Sequence, residues 1–382
     1  MQLSQLVLQN IIWRGLYFFT VFFVNIFVAR YLKADGSGSV YYVVNNLSFL
    51  LLIAGLSLES GATYFISKQV IAPQKVFLFF LIWPFIAALI IIFFFSSIFK
   101  TPGNILATTA EFNYACFIYI TGVLLTTYFG ALFFSKQNFI LPNIILLAVN
   151  LSTLVFFSIY EQHPIMRQHF VIIYFSSFFL QGSILAVAYF FKMKKWENIG
   201  SPSLVLIKKI ARYSLLALAA NVIFFLVYRV DYWFVNKFCS TKDLGNYIQV
   251  SKLVQAFLIF PAICASVIFP IIAAGKKNLS HSIQLLSSFM FIAFLLLNLI
   301  IVIAGKTLFL MIFGNSFDEM YVPYLLLIPG NISLSVQALL GAFFAGENKI
   351  KINLWGAALS LLIIIGGDIL LVPLYGIATS EQ

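Results

Sequence analysis

Long runs of apolar residues, separated by short polar breaks, are the feature that most constrains the fold of this chain. A helix of about 20 apolar residues crosses the roughly 30 Å of hydrocarbon in a lipid bilayer. Eleven runs of this kind are predicted, over residues 11–29, 40–60, 76–99, 112–134, 139–160, 169–191, 213–236, 246–270, 283–305, 321–345 and 352–373. The sequence therefore predicts an all-α, polytopic membrane protein with about eleven transmembrane helices.

The composition excludes an ordinary soluble fold. Hydrophobic residues make up 62% of the chain and charged residues 9%, whereas soluble domains have about 45–50% apolar and about 25% charged residues. The formal net charge of +11 comes from basic residues scattered between the apolar runs. No dense basic patch of the kind that binds nucleic acid is present, so membrane lipids are the expected surroundings and nucleic acid is not an expected partner.

The distribution of lysine and arginine predicts the orientation. Outside the predicted spans, thirteen of these residues fall on the side of the N-terminus and seven on the other side. Basic residues are enriched in cytoplasmic loops, so the N-terminus is predicted to be cytoplasmic, in a bacterial inner membrane. The first ten residues contain no Lys or Arg, so a cleavable signal peptide is not expected.

The longest polar connection predicts the domain organisation. It contains five lysines between Lys192 and Lys209 and separates an N-terminal lobe of six helices from a C-terminal lobe of five. The predicted limits are 1–191 for the first lobe, 192–212 for a cytoplasmic linker and 213–382 for the second lobe. FVARY at Phe27–Tyr31 followed by Gly38 aligns without gaps with FVNKF at Phe234–Phe238 followed by Gly245, which indicates a parallel repeat of the kind found in transporters.

Several segments, in their order and spacing, carry a resemblance that covers almost the whole chain. They are FVARYLKADGSG, IAGLSLESGATYFIS, RVDYWFVNKFCSTKDLGNYIQVSKL, LFLMIFGNSF and DILLVPLYGI. Together they resemble the Wzx-type O-antigen and polysaccharide flippases of the multidrug/oligosaccharidyl-lipid/polysaccharide (MOP) exporter superfamily. That family usually has Asn where this chain has Asp368, and it continues into a twelfth helix beyond the position where this chain ends. A fragment or a short family member is therefore expected.

Charged residues within predicted spans are the candidates for the functional site, because each costs roughly 2.5–3.5 kcal/mol to insert into the bilayer. The six are Arg14, Glu59, Arg229, Asp231, Lys252 and Asp368. The resemblance to flippases with a cationic cavity implies that Arg14, Arg229 and Lys252 bind the diphosphate of a lipid carrier. For the arginines the alternative is snorkelling to the headgroups, and for Asp231 and Lys252 it is a structural ion pair. Glu59, Asp231 and Asp368 are the candidates for coupling or gating.

Enzymatic and metal sites are not predicted. The three cysteines form no CxxC pair, and the three histidines form no HxxxH or carboxylate grouping. The sequence also contains no nucleophile elbow, phosphate-binding glycine loop or catalytic acid pair. We therefore expect a protein that is not an enzyme and that has no metal and no cofactor.

The functional expectation follows from the resemblance. Two lobes would enclose a polar cavity that opens alternately to each side, and a lipid-linked oligosaccharide on undecaprenyl diphosphate would be the partner, with the coupling ion left open. A multidrug exporter of the same superfamily is an alternative and would need acidic cation-binding residues. A membrane glycosyltransferase or polymerase is a second alternative and would need a long extramembrane loop with catalytic carboxylates.

Overall fold

The fold is entirely helical within the residues that the computed structural model describes, which are 3–98, 109–192, 204–273, 280–347 and 349–376. This confirms the all-α prediction. The helices are α1 (Leu3–Gly55), α2 (Leu58–Ser67), α3 (Gln74–Ile98), α4 (Thr109–Ser135), α5 (Ile140–Tyr160), α6 (Pro164–Lys192), α7 (Leu204–Arg229), α8 (Asp231–Phe238), α9 (Thr241–Ala273), α10 (Ser280–Phe313), α11 (Tyr321–Gly346) and α12 (Ile350–Tyr375). A 3₁₀ turn at Asn315–Phe317 precedes α11.

Ten helical stretches in the described part of the chain are long and apolar enough to cross a membrane. The first of them, Ile12–Gly55, has 44 residues, which is about twice the length that one crossing requires. Its helical geometry is interrupted at Lys33, where φ is 59°. Two crossings in this stretch bring the total into agreement with the predicted count of about eleven.

The connection predicted between the first two spans, residues 30–39, is helical in the structure. Within it, only Lys33 has backbone angles outside the helical region. This one residue, which has a positive φ, makes the bend that was expected from a loop. The predicted second span is instead divided at Leu56 and Ser57, which have φ of 51° and 48°, and α2 begins at Leu58. Since unpaired backbone groups are costly in hydrocarbon, single-residue breaks are favoured there over open loops.

The chain forms two compact units. The first comprises Met1–Phe27 and Val43–Val222, and the second comprises Val28–Tyr42 and Ile223–Gln382. The limits predicted from the sequence, at 191 and 213, stay predictions, and residues 193–203 of the predicted linker lie outside the described residues.

The interior of the first unit is polar in places where a soluble protein would be apolar. Asn150 is 4% exposed, and its amide donates to the hydroxyl of Thr20 while its oxygen accepts from Gln181. The outer surface is apolar by contrast, with Phe93 75% exposed. Such a distribution suits a protein surrounded by lipid hydrocarbon, because buried polar groups in the interior of such a protein pair with one another.

The second unit repeats this distribution. Asn298 is buried, and its amide oxygen accepts hydrogen bonds from the hydroxyl of Tyr324 at 2.7 Å and from Asn331 at 3.3 Å. Trp355 on α12 is 75% exposed and Ile303 on α10 is 79% exposed. These polar side chains again pair with one another in the interior, while large apolar side chains face outward.

Part of α1 is held inside the second unit. The guanidinium of Arg30 donates to the carbonyl oxygens of Met311 and Ile312, which lie in the last turn of α10, where carbonyls lack partners within the helix. Gly38 packs so closely that a Cβ there would lie 2.7 Å from the nitrogen of Gly245. These two glycines are the equivalent positions of the predicted repeat.

Candidate functional site

A polar cavity lies within the first unit, among residues of α1, α2, α4, α5 and α7. Its volume is about 780 Å³, within the range of about 300–1,000 Å³ that ligand pockets usually have. Apolar surface makes up most of its wall, and the lining also includes hydroxyl and amide side chains, namely Ser60, Thr63, Ser67, Thr126, Thr127 and Asn143. Space and hydrogen-bonding groups for a polar ligand are therefore present in one unit.

Two basic side chains and one acidic side chain line this cavity. Arg14 is exposed, and its guanidinium carbon lies 5.7 Å from the centroid of the Phe18 ring. The ammonium of Lys68 donates to the hydroxyl of Tyr64 at 2.6 Å. Glu59 accepts a hydrogen bond from the hydroxyl of Ser60 at 3.1 Å. The two cations outnumber the carboxylate, so the charged lining favours an anionic ligand.

Stacked aromatic rings form another part of the cavity wall. The rings of Tyr64 and Tyr213 are 4.6 Å apart between centroids, with an angle of 16° between their planes. Lys68 lies 4.4 Å from the centroid of Tyr64, while Tyr213 is 39% exposed. Flat aromatic surfaces beside hydroxyl groups provide both an apolar face and hydrogen-bonding partners.

One cavity group has an unused hydrogen-bonding capacity. The hydroxyl oxygen of Thr126 is buried and has no hydrogen-bond partner among the described residues. Leaving a hydroxyl in this state costs about 1–3 kcal/mol.

A second group of charged residues lies in the second unit. Asp231, the first residue of α8, accepts hydrogen bonds from the hydroxyl of Tyr247 and from the backbone N–H of Tyr232, the latter at 3.0 Å. α8 packs against α12, the helix that carries Asp368. The ammonium of Lys252 lies 2.8 Å from the centroid of the Tyr41 ring, a cation–π contact.

The second unit also has an ionic cluster where α9 begins and α10 is followed by a turn. Lys242 forms ion pairs with Asp318 at 3.0 Å and with Glu319 at 3.2 Å. The neighbouring carboxyl group of Asp243, together with burial, raises the pKa of Glu319. The cluster connects the start of α9 to the turn that precedes α11.

The six residues singled out in the sequence divide between the two units. Arg14 and Glu59 line the same cavity of the first unit, while Arg229, Asp231, Lys252 and Asp368 belong to the second unit. The roles in binding and coupling stay predictions for all six. Sequence reasoning missed Lys68, Tyr64 and Tyr213 as lining residues, because nothing in the local pattern shows that α2 and α7 meet.

Residues 171–322 match a family described as polysaccharide biosynthesis protein. No curated protein sequence matches the chain.

Solved structures of membrane transporters share the fold. An inward-facing multidrug resistance MATE-family transporter of the MOP superfamily superimposes with a TM-score of 0.68 at 12% identity, over 96% of this chain and 86% of that one. A MOP-superfamily transporter from Pyrococcus furiosus, described as having a binding pocket of reversed polarity, gives 0.60 at 12% identity, over 97% and 86%. The chain is thus a multi-pass membrane protein with the fold of MOP-superfamily transporters, and part of it matches a polysaccharide biosynthesis family.

Proposed function

We propose that this protein is a flippase that moves undecaprenyl-diphosphate-linked oligosaccharide from the cytoplasmic to the outer leaflet of a bacterial inner membrane, by alternating access. The product would supply surface polysaccharide synthesis, such as that of O-antigen. The match of residues 171–322 to a polysaccharide biosynthesis family supports this choice within the superfamily.

The observation that carries the proposal is the lining of the cavity in the first unit. Arg14 and Lys68 provide positive charge, and a guanidinium can bind phosphate oxygens with two parallel hydrogen bonds. The Tyr64–Tyr213 stack and the surrounding hydroxyl groups offer faces and partners for sugar rings. A diphosphate joined to an oligosaccharide presents both kinds of chemistry.

Arg229 and Lys252 add positive charge in the second unit, and we assign them to substrate binding as well. Glu59, Asp231 and Asp368 are the candidates for coupling or gating. Moving roughly two negative charges outward across about 100 mV would be favoured by about 4–5 kcal/mol in a cell that is negative inside. The membrane potential alone therefore provides a driving force, whatever ion is coupled.

The first test is complementation of a bacterial strain that lacks its oligosaccharide flippase. The wild-type chain should restore surface polysaccharide and remove the lipid-linked precursor that accumulates inside the cell. Arg14→Ala should abolish both effects because the diphosphate loses its guanidinium partner. Arg212→Ala is the matched control, since Arg212 is exposed on α7 and is not part of the cavity lining.

Equal loss in both arginine variants, at equal expression, would argue against a specific role for Arg14. Failure of a well-expressed wild-type chain, with protection against cationic drugs in an efflux assay, would favour the multidrug-exporter alternative. The related MATE-family structure gives that alternative its basis, and Glu59 would then be its cation-binding residue in the cavity.

A further inference from the structure

A second, apolar cavity lies in the first unit beside the polar one. It has a volume of about 580 Å³ and is bounded by α2, α3 and α7. Its wall includes Leu58 and Ala62 of α2, Phe79 and Trp83 of α3, and Ile210 and Ala211 of α7. We call this space the α3 groove. Its chemistry suits a hydrocarbon chain.

The same short helix separates the α3 groove from the polar cavity. Leu58 and Ala62, four residues apart and thus on one face of a helix, border the groove. Glu59 and Thr63, each one residue further along α2, border the polar cavity. A helix with its side chains is about 10–12 Å across. An apolar space and a polar, cationic space therefore lie within one helix diameter of each other.

The seam between α2 and α7 is closed by a closely packed glycine, a hydrogen bond and a pair of stacked rings. Gly61 packs against the hydroxyl of Ser214, and a Cβ on it would lie 3.2 Å from the carbonyl oxygen of Ile210. On one side of Gly61, the amide of Asn221 donates to the hydroxyl of Ser57 at 3.1 Å. On the other side, the stack of Tyr64 and Tyr213 completes the seam.

Two polar residues at the start of α3 line the groove. The amide oxygen of Gln74 is buried and has no hydrogen-bond partner among the described residues, and Lys75 is exposed at the start of α3. An ammonium at one end of an apolar space is complementary to an anionic lipid. A chain lying in the groove would keep its charged end near these groups or across α2 in the polar cavity.

We propose that the α3 groove holds the isoprenoid chain of the lipid whose diphosphate and sugars occupy the polar cavity, and that the seam between α2 and α7 parts to let the connecting phosphate pass. This inference rests on the proposed function, because it takes the head of the substrate to be in the cavity. It assigns a tail site and a lateral opening to the first unit.

The test uses Trp83, whose indole lies in the groove wall and donates to the carbonyl of Ala54 at 3.0 Å. In a variant with Trp83 as its single tryptophan, brominated phosphatidylcholine in nanodiscs should quench its fluorescence. Undecaprenyl diphosphate should displace the brominated chain and remove the quenching. A variant with only Trp355 is the control, since that side chain is 75% exposed on α12 and should stay quenched.

The outcomes separate this inference from the proposed function. Native mass spectrometry of the same nanodiscs measures binding of undecaprenyl diphosphate independently. Binding without relief at Trp83 overturns the tail site and leaves the flippase proposal intact, whereas absence of binding contradicts both. Equal relief by the same amount of phosphatidylglycerol overturns the assignment to an isoprenoid lipid.

A substitution in the groove gives a second measurement in a chain that keeps all its tryptophans. Ala211→Phe should fill the groove and weaken binding of undecaprenyl diphosphate by about ten-fold, equivalent to about 1.4 kcal/mol. Leu216→Phe is the matched control, because Leu216 is 75% exposed on the same helix and does not border the groove. Unchanged affinity in correctly folded Ala211→Phe would overturn the tail site.

Discussion

The charged residues of the two units have contrasting surroundings. In the first unit, Arg14 and Glu59 border a cavity of about 780 Å³. In the second unit, Asp231 accepts hydrogen bonds from a tyrosine hydroxyl and a backbone N–H, and Lys252 lies against the ring of Tyr41. One group faces open space, and the other is packed among partners from its own unit.

This difference shows that a charge in a membrane helix can be accommodated in two ways. A charge beside a roomy polar cavity retains water or a ligand as its partner, so its removal should affect binding more than folding. A charge surrounded by protein needs its hydrogen bonds to offset desolvation, so removing those partners should affect folding first.

Gly245→Val should be the most destabilising change, at about 3 kcal/mol, the upper end for overpacking. A Cβ on Gly245 would overlap the carbonyl group of Ala34, and backbone cannot move aside as a side chain can. Gly130→Val is the control, because Gly130 lines the cavity and has open space at its Cβ position. Titration with SDS in mixed micelles, followed by circular dichroism, measures both. If the two variants were equally stable, the expected difference between a closely packed glycine position and an open one would be contradicted.

Tyr247→Phe should destabilise the protein by about 2 kcal/mol, because Asp231 loses a hydrogen bond inside the second unit. Tyr213→Phe keeps the ring that stacks on Tyr64 and should leave the free energy of unfolding nearly unchanged. The same SDS titration compares the two. A larger effect from Tyr213→Phe would mean that its hydroxyl, and not its ring, is the important part.

Lys242→Ala should cost less than about 1 kcal/mol, because the ion pairs of Lys242 are largely exposed to solvent. The side chains of Lys242 and Asp318 are 41% and 54% exposed. Raising the salt concentration should remove even this difference, and Lys306→Ala, on exposed α10 surface, provides the control. A loss that persists in high salt would show that the cluster has a role beyond surface attraction.

Arg14→Ala should have the smallest effect on stability and a large effect on transport. Arg14 is exposed at the cavity, so its removal leaves little packing to lose. Its apparent melting temperature in detergent should match that of the wild-type chain, while surface polysaccharide is lost in the complementation assay. A variant that is unstable but still active would assign Arg14 to folding instead.

The fold was predictable because the bilayer imposes a simple rule on composition. Apolar runs of sufficient length predicted the helices and the all-α class, and the structure confirms both. The error over residues 30–39 arose because Lys33, Asp35 and two glycines favour a loop in a sequence pattern, while the helix continues on both sides of Lys33. Contacts of Gly38 with α9 stabilise a segment that local propensity does not favour.

The candidate site was only partly predictable. Arg14 and Glu59 were identifiable because charges are rare and costly within apolar spans. Tyr64 and Tyr213 are two of 18 tyrosines, so their sequence positions alone did not distinguish them. Arg30 was counted only as a loop cation, although it satisfies two carbonyls at the end of α10.

The apolar runs and the composition were enough to identify the lipid bilayer as the surroundings, the all-α class and the few charges within the helices, because insertion into hydrocarbon penalises each departure from an apolar pattern. Helix packing established which side chains share a cavity, since residues far apart in the chain meet only when helices pack. It also decided that Gly38 and Gly245, similar in sequence context, are in direct contact. The way in which two helices cross depends on the shapes of both contacting surfaces. The residue pattern along one helix describes only the surface of that helix.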